Sequence, residues 1–209
     1  MITVAIFGAS GHGKVVAEVV ELNGLANIMF FDDRWPKLTT VEHWPVCGNF
    51  KTLLSNIGNF DQVYVAIGCN EIRLNKHLKL MALGASSAPL VHPKAIVSRY
   101  ASLGYGTVVM AGAVINPFCD IGEACIINTS CSIDHDSVLS DGVHIGPGAR
   151  LSGSVSVGRE SWIGIGASVK QLVTIGNSVV VGAGSTVIGH VSNGQTVVGC
   201  PAKSLVVKE

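Results

Sequence analysis

The chain has 209 residues and carries 14 Lys and Arg against 14 Asp and Glu, so its formal net charge is zero. This balance argues against nucleic acid as a partner, because phosphate neutralisation needs a clustered positive excess. Hydrophobic residues make up 48% of the chain and charged residues 13%, which excludes a disordered protein. No apolar run suits a membrane helix or a signal peptide, so we expect a cytoplasmic protein without membrane insertion.

The first ninety residues alternate short apolar runs with amphipathic patterns. Strands are predicted at 2–7, 28–31 and 62–67, and helices at 14–22 and about 70–83. Alternating strands and helices of this length predict a small, Rossmann-like parallel α/β sheet, here assigned to a first domain over residues 1–90.

A glycine-rich turn, Gly8-Ala-Ser-Gly-His-Gly13, joins the first strand to the first helix. Backbone N–H groups in such a turn can approach phosphates at the helix N terminus. The spacing is G-x-x-G-x-G rather than the dinucleotide pattern, and ninety residues are too few for a two-half dinucleotide fold, so nicotinamide binding is disfavoured. On the pattern alone, a phosphate site and a turn that merely closes the sheet both stay open.

Aliphatic side chains recur at every sixth position from Leu103 to Val187, at fifteen consecutive positions. A period of six fits neither an amphipathic helix nor an ordinary strand. It is typical of a parallel β-helix, in which each hexapeptide forms one short strand and one turn. Val91 and Val97 extend the phase backwards, and Asn193 ends it.

This repeat resembles the left-handed parallel β-helix of the hexapeptide-repeat acyltransferases over about residues 91–192. The resemblance implies three hexapeptides in each coil, hence about five coils, in a second domain over 91–209. It also implies acetyl-CoA as co-substrate, and a homotrimer with active sites in grooves between neighbouring protomers.

Three segments of the first domain, GASGHG, FFDD and AIGCNEIR, resemble segments of bacterial acetyltransferases that act on amino sugars and sialic acids. In the UDP-4-amino-sugar N-acetyltransferases of the bacillosamine pathway, the corresponding segments bind the UDP-sugar. The resemblance therefore implies substrate contacts at Ser10, Gly11, His12, Asp32, Asp33 and Gly68.

The segment NTSCSIDHD, residues 128–136, concentrates polar side chains within the regular coils. Acetyl transfer needs a base, and His135 is suited to that role, with Asp136 available to orient it. A lone His on a solenoid face is otherwise a solvated surface residue. The segment resembles the family's N-T-S…I-E-H-E motif, which implies that His135 is the base, Asp136 its shorter acidic partner and Asn128 a substrate contact.

Coil arithmetic predicts the neighbours of the base. One coil after His135 lies Gly153, about 4.8 Å away along the axis by strand spacing. The family's matching Gly binds the thioester carbonyl, so the resemblance implies that the N–H of Gly153 stabilises the oxyanion.

The stripe Pro147, Ile165 and Ala183, in which each member stands one coil after the last, is predicted to line the pantetheine arm of acetyl-CoA. The resemblance implies cofactor contacts at Ile165, Ala183 and His144. Ala183 departs from the Gly of a well-understood relative. The segment GCPAK near the C terminus resembles a family segment that packs near the coenzyme, and a plain C-terminal cap explains it nearly as well.

Metal sites are not expected. Cys119, Cys125 and Cys131 recur at every sixth position and should point to three different corners of one coil, so they are interpreted as packing residues. The related β-helical carbonic anhydrases need a His pair that this chain lacks.

The leading hypothesis is an acetyl-CoA-dependent N-acetyltransferase that acts on the 4-amino group of a UDP-4-amino-4,6-dideoxy-N-acetyl-hexosamine in surface-glycan synthesis. One alternative is an O-acetyltransferase on sialic acid or a related sugar, since those enzymes share nearly every motif quoted. The other is a non-catalytic scaffold that binds a sugar nucleotide, against which the retained His135, Asp136 and Gly153 argue.

Overall fold

The computed structural model describes residues 2–24 and 27–205 and divides into two compact units, Met1–Pro93 and Lys94–Glu209. The predicted fold class is confirmed: a small parallel α/β sheet is followed by a parallel β-helix. Of the described helices, none combines the length and the apolar character needed to cross a membrane.

The first unit is built around three parallel strands in the order β2-β1-β5. Its elements are β1 (Thr3–Phe7), α1 (Gly11–Leu22), β2 (Asn27–Phe31), β3 (Thr40–Val41), β4 (Trp44–Pro45), α2 (Phe50–Leu54), a 3₁₀ turn (Ile57–Asn59), β5 (Gln62–Val65), α3 (Asn70–Ala82) and β6 (Leu90–Val91). The sequence patterns did not predict α2 or the β3–β4 hairpin, because both are too short to show a period.

One apolar cluster in the core of this unit lies on one face of β1, because successive side chains of a strand point to opposite faces. Ala5 and Phe7 join Leu53 of α2 and Leu80 of α3 in one buried apolar cluster. The glycine turn lets α1 begin directly against the end of β1: Gly8 has a φ of 114°, and a Cβ at Gly13 would overlap the carbonyl oxygen of Gly8. The helix therefore begins at Gly11, three residues before the predicted start.

The second unit winds as short strands joined by tight turns. These strands are β7 (Ile96–Val97), β8 (Ser102–Leu103), β9 (Val108–Val109), β10 (Val114–Ile115), β11 (Asp120–Ile121), β12 (Ile126–Ile127), β13 (Ser132–Ile133), β14 (Val138–Leu139), β15 (His144–Ile145), β16 (Arg150–Leu151), β17 (Ser156–Val157), β18 (Trp162–Ile163), β19 (Ser168–Val169), β20 (Thr174–Ile175), β21 (Val180–Val181), β22 (Thr186–Val187), β23 (Thr196–Val198) and β24 (Lys203–Ser204).

From β7 to β22, parallel pairing joins strands that are three hexapeptides apart, so these strands stack on three faces, as predicted; β24 instead pairs antiparallel with β23. The inward aliphatic residues Ile133, Leu151 and Val169 are buried. The winding continues beyond the predicted end at Val187, but the last coil is shorter: Val181 pairs with Val197, where a regular coil would place position 199. The hexapeptide pattern ends at Asn193 because this coil drops two residues.

The three cysteines Cys119, Cys125 and Cys131 are buried among the small inward-facing corner residues, in agreement with a packing role. Burial raises the pKa of the Cys131 thiol to about 12. Within 2–24 and 27–205, no group of three or more His, Cys, Asp or Glu is placed to hold a metal ion.

Candidate active site

His135 and Asp136 form a close pair in the turn that follows β13. The Nδ1 atom of His135 lies 2.7 Å from Oδ2 of Asp136. Asp136 has a φ of 58°, a left-handed conformation that is uncommon for residues other than glycine. The shorter Asp therefore reaches the imidazole. With Nδ1–H donating to the carboxylate, Nε2 is left as the basic nitrogen, and the hydrogen bond to Asp136 raises the pKa of His135.

A second carboxylate, that of Asp134, holds the backbone of His135. Oδ1 of Asp134 accepts hydrogen bonds from the backbone N–H of His135 at 2.9 Å and from Nδ2 of Asn116 at 2.8 Å. These bonds lower the pKa of Asp134. Sequence reasoning missed Asn116, although it stands one coil before Asp134 and so directly beside it in the stack.

Gly153 lies directly beneath the imidazole of His135. A Cβ at this position would come within 2.6 Å of the ring's Cε1 and 2.7 Å of Nε2, so only glycine leaves room for the imidazole. Both residues line a groove of about 400 Å³. The groove is completed by Asp134, Ser152, Ser154, Gln171 and Leu172.

A second groove, of about 190 Å³, runs over the face of β15, β18 and β21. The predicted stripe Pro147, Ile165 and Ala183 lines it together with His144. Trp162, which the sequence analysis did not single out, stacks on His144 with ring centroids 5.8 Å apart and planes 16° apart. Its position one coil after His144 in the sequence could have identified it as a neighbour of that histidine. The walls are mostly apolar, which suits an aliphatic arm.

Asn128 lies beside His144 and fixes its hydrogen-bonding state. The Oδ1 atom of Asn128 accepts the backbone N–H of Thr129 at 2.8 Å, so its Nδ2 faces Nε2 of His144 at 3.1 Å. Since an amide nitrogen only donates, Nε2 of His144 accepts and its ring proton is on Nδ1. Asn128 therefore contacts His144, which lines the second groove. The predicted contact of Asn128 with the substrate stays a prediction.

The residues predicted to bind the sugar nucleotide gather at the carboxyl edge of the β2-β1-β5 sheet, where open parallel sheets bind ligands. Ser10 immediately precedes α1, Gly11 begins it, and Gly68 follows β5; all three residues are exposed. Asp33 follows β2 and is also exposed.

Asp32 is buried, and both of its carboxylate oxygens are engaged. Oδ2 accepts the N–H of Ala9 at 2.8 Å, and Oδ1 accepts from Nε of Arg34 at 2.8 Å. The bonds to Arg34 lower the pKa of Asp32 to about 2. Asp32 thus ties the glycine turn to the end of β2.

His12, within the glycine turn, lies near the buried Arg73 of α3. Burial, followed by the nearby charge of Arg73, lowers the pKa of His12 to about 4, so its imidazole is neutral at pH 7. Arg73 is 1% exposed and donates to the carbonyl oxygens of Ile67 and Gly68, at 3.0 and 3.1 Å. It shapes the loop after β5. The sequence analysis quoted this Arg within AIGCNEIR and gave it no role.

The PglD N-terminal domain family matches residues 3–80. The acetyltransferase domain of PglB from Neisseria gonorrhoeae FA1090, solved in complex with acetyl coenzyme A, is 42% identical, with a TM-score of 0.93 over 97% of this chain and 98% of that chain. The chain belongs to the hexapeptide-repeat sugar acetyltransferases.

Two further relatives of this acetyltransferase are named for nucleotide-linked amino sugars. A mutant perosamine N-acetyltransferase from Caulobacter crescentus, solved with CoA and GDP-perosamine, is 36% identical, with a TM-score of 0.94 over 98% of this chain and 97% of that chain. The UDP-N-acetylbacillosamine N-acetyltransferase of Bacillus subtilis (strain 168) is 37% identical over 120 residues, 53% of this chain. The match spans about half of that curated relative, 52% of its length.

Proposed function

We propose that this acetyltransferase transfers the acetyl group of acetyl-CoA to the 4-amino group of a UDP-4-amino-4,6-dideoxy-N-acetyl-hexosamine. The observation that carries the proposal is the stacking of His135 over Gly153, with Asp136 on the far nitrogen of the imidazole. Because His135 and Gly153 line one groove, an imidazole and a backbone N–H are both available there, which supports a base and an oxyanion donor. Relatives named as N-acetyltransferases of nucleotide-linked amino sugars support the reaction class.

In the proposed mechanism the sugar amine attacks the thioester carbonyl directly. Nε2 of His135 takes the amine proton while Asp136 stabilises the imidazolium through Nδ1–H. The N–H of Gly153 donates to the oxyanion of the tetrahedral intermediate. The C–N bond forms, the C–S bond breaks, and the proton passes from His135 to the leaving thiolate.

The groove of His144, Trp162 and Ile165 is proposed to hold the pantetheine arm. Its mostly apolar walls would bury the methylene groups of the arm. We propose that the nucleotide part of the sugar substrate binds at the carboxyl edge of the first unit's sheet.

The working enzyme is proposed to be a homotrimer. Phe118 stands one coil before Asp136 in the same turn column, and Leu172 stands two coils after it. Their side chains are 64% and 70% exposed in the single chain. Both have left-handed φ values of 63°. Large apolar side chains beside a catalytic pair are suited to burial against a second copy.

The test is a thiol-release assay with acetyl-CoA, run in parallel against UDP-4-amino sugars, GDP-perosamine and free sialic acid. We expect release with a nucleotide-linked 4-amino sugar, and a loss on the order of 10²–10⁴ in kcat for His135→Ala. The matched control is His43→Ala, at an exposed histidine of the first unit. Release with sialic acid alone would replace the proposal by O-acetylation, and full turnover of His135→Ala would remove the assigned base.

A further inference from the structure

Asp33 and Lys76 form an ion pair at the carboxyl edge of the first unit's sheet. Nζ of Lys76, on α3, lies 3.5 Å from Oδ2 of Asp33, the second residue after β2. The same ammonium lies 4.6 Å from the ring centroid of Phe7, the last residue of β1 before the glycine turn. The pair therefore spans the end of the central strand, next to the segment proposed to approach the phosphates.

Both charged groups are held in place. Oδ1 of Asp33 accepts the backbone N–H of Phe50 at 3.0 Å, at the start of α2. Lys76 packs beside two rings that contact each other, with its ammonium 3.7 Å from the centroid of Phe50 and 4.6 Å from that of Phe7. Its side chain is only 21% exposed, whereas the carboxylate side chain of Asp33 is 62% exposed. A donor-only group thus stands beside an acceptor-only group, and both side chains keep exposed surface that a ligand can contact.

This arrangement goes beyond what folding needs. An ion pair with one exposed partner contributes little to stability. Attraction to the faces of Phe50 and Phe7 holds the ammonium in place, at the cost of rotamer freedom that the side chain would keep in water. A fixed acceptor–donor pair at the ligand-binding edge of a parallel sheet is better explained by recognition of a planar polar edge.

We propose that Asp33 and Lys76 read the nucleobase of the substrate and select bases that present an N–H donor beside a carbonyl. The inference rests on the proposed function for the presence of a nucleotide. Uracil offers N3–H and O4, and guanine offers N1–H and O6, so either base matches the carboxylate and the ammonium. Cytosine and adenine present a ring-nitrogen acceptor beside an amino donor, the reverse order, and would place like groups against each other.

The experiment is calorimetric binding of UDP and CDP, which share ring, ribose and diphosphate and differ only at this edge. The wild-type protein should bind UDP on the order of 10- to 100-fold more tightly than CDP. Lys76→Met keeps an unbranched side chain over the rings and should weaken UDP binding without weakening CDP binding. Asp33→Asn should bring the UDP/CDP ratio close to one, because an amide can donate to the ring nitrogen of cytosine. A second arm compares GDP with ADP in the same way, and the affinity for GDP set against that for UDP tells whether guanine or uracil is the preferred base.

Two further variants control for folding and charge. Lys76→Arg retains a donor and should keep the UDP preference, and Lys79→Met, at an exposed lysine of α3, should bind as wild type does. If Lys76→Met melts at a lower temperature than the wild type, the UDP/CDP affinity ratio of Asp33→Asn becomes the deciding measurement, because Asp33 is exposed. Equal binding of UDP and CDP by the wild type, or a ratio unchanged in both variants, overturns the inference and leaves the proposed function standing. A wild-type protein that binds none of the four nucleotides overturns both.

Discussion

Single residues around His135 acquire their chemistry from immediate neighbours. The imidazole, exposed in the single chain, has its pKa raised by the hydrogen bond to Asp136. In the proposed mechanism His135 acts as a base in its neutral form, so the acid limb of the pH–rate profile should lie above the ordinary pKa near 6.5. Asp136 therefore increases basicity and fixes the proton on Nδ1 at the same time.

For Asp136→Asn we expect the acid limb to move to lower pH, because the imidazole loses the carboxylate that stabilises its charged form. The plateau kcat should fall less than in His135→Ala. The measurement is a pH profile of kcat for acetyl transfer by both proteins. A profile that coincides with that of the wild type would assign Asp136 to structure alone.

Gly153→Ala should lower kcat on the order of 10²-fold, since a methyl group 2.6 Å from Cε1 of His135 must displace the ring. The matched control is Gly189→Ala, two coils later, where an added Cβ meets nothing within 4 Å. Steady-state kinetics and thermal melting of both variants separate activity from stability. Equal activity of the two variants would contradict the stacking of the base on Gly153.

At the scale of elements, the glycine turn depends on a carboxylate from the neighbouring strand. Asp32 joins Ala9 of the turn to Arg34, and the folded-state pKa of about 2 lies below the ordinary value near 3.8. A lowered carboxyl pKa stabilises the fold above the unfolded-state pKa, and this contribution disappears as pH falls from about 4 to about 2.

Asp32→Asn should lower the free energy of unfolding at pH 7 by roughly 2 kcal/mol, from the shift in pKa. The difference from the wild type should shrink as the pH approaches 2. Urea unfolding at several pH values measures it, with Glu18→Gln on the exposed side of α1 as the control. A difference that stays constant from pH 7 to pH 2 would show that the charge of Asp32 plays no part.

At the scale of the whole molecule, the exposed apolar side chains of the turns are proposed to be covered by a partner surface. In the proposed homotrimer, Leu172 is buried against a second copy. Leu172→Glu should then dissociate the trimer, because a charge cannot be buried unpaired. Sedimentation should report about three times 21.7 kDa for the wild type and a single chain for the variant. Leu83→Glu, at an exposed leucine of the first unit, should remain trimeric. An active wild-type monomer would contradict the proposal.

The regular parts of the molecule follow from the sequence alone. The hexapeptide period predicts the coils, and counting three hexapeptides to a coil predicts that Gly153 adjoins His135 and that Pro147, Ile165 and Ala183 share a groove. Such neighbours are readable because every coil repeats the same backbone path, so sequence distance converts directly into spatial distance. The glycine turn and the strand–helix alternation likewise predict the first unit from patterns within short stretches of sequence.

Only the tertiary structure decided where side chains point and which distant elements meet. The left-handed φ of Asp136 lets a short carboxylate reach the base, and the two oxygens of Asp32 are engaged by a turn and an arginine rather than left open to a ligand. Lys76 meets Asp33 although the two are far apart in the chain. No repeat links α3 to the end of β2, and a residue pattern records periodicity along one element rather than the packing of two elements against each other.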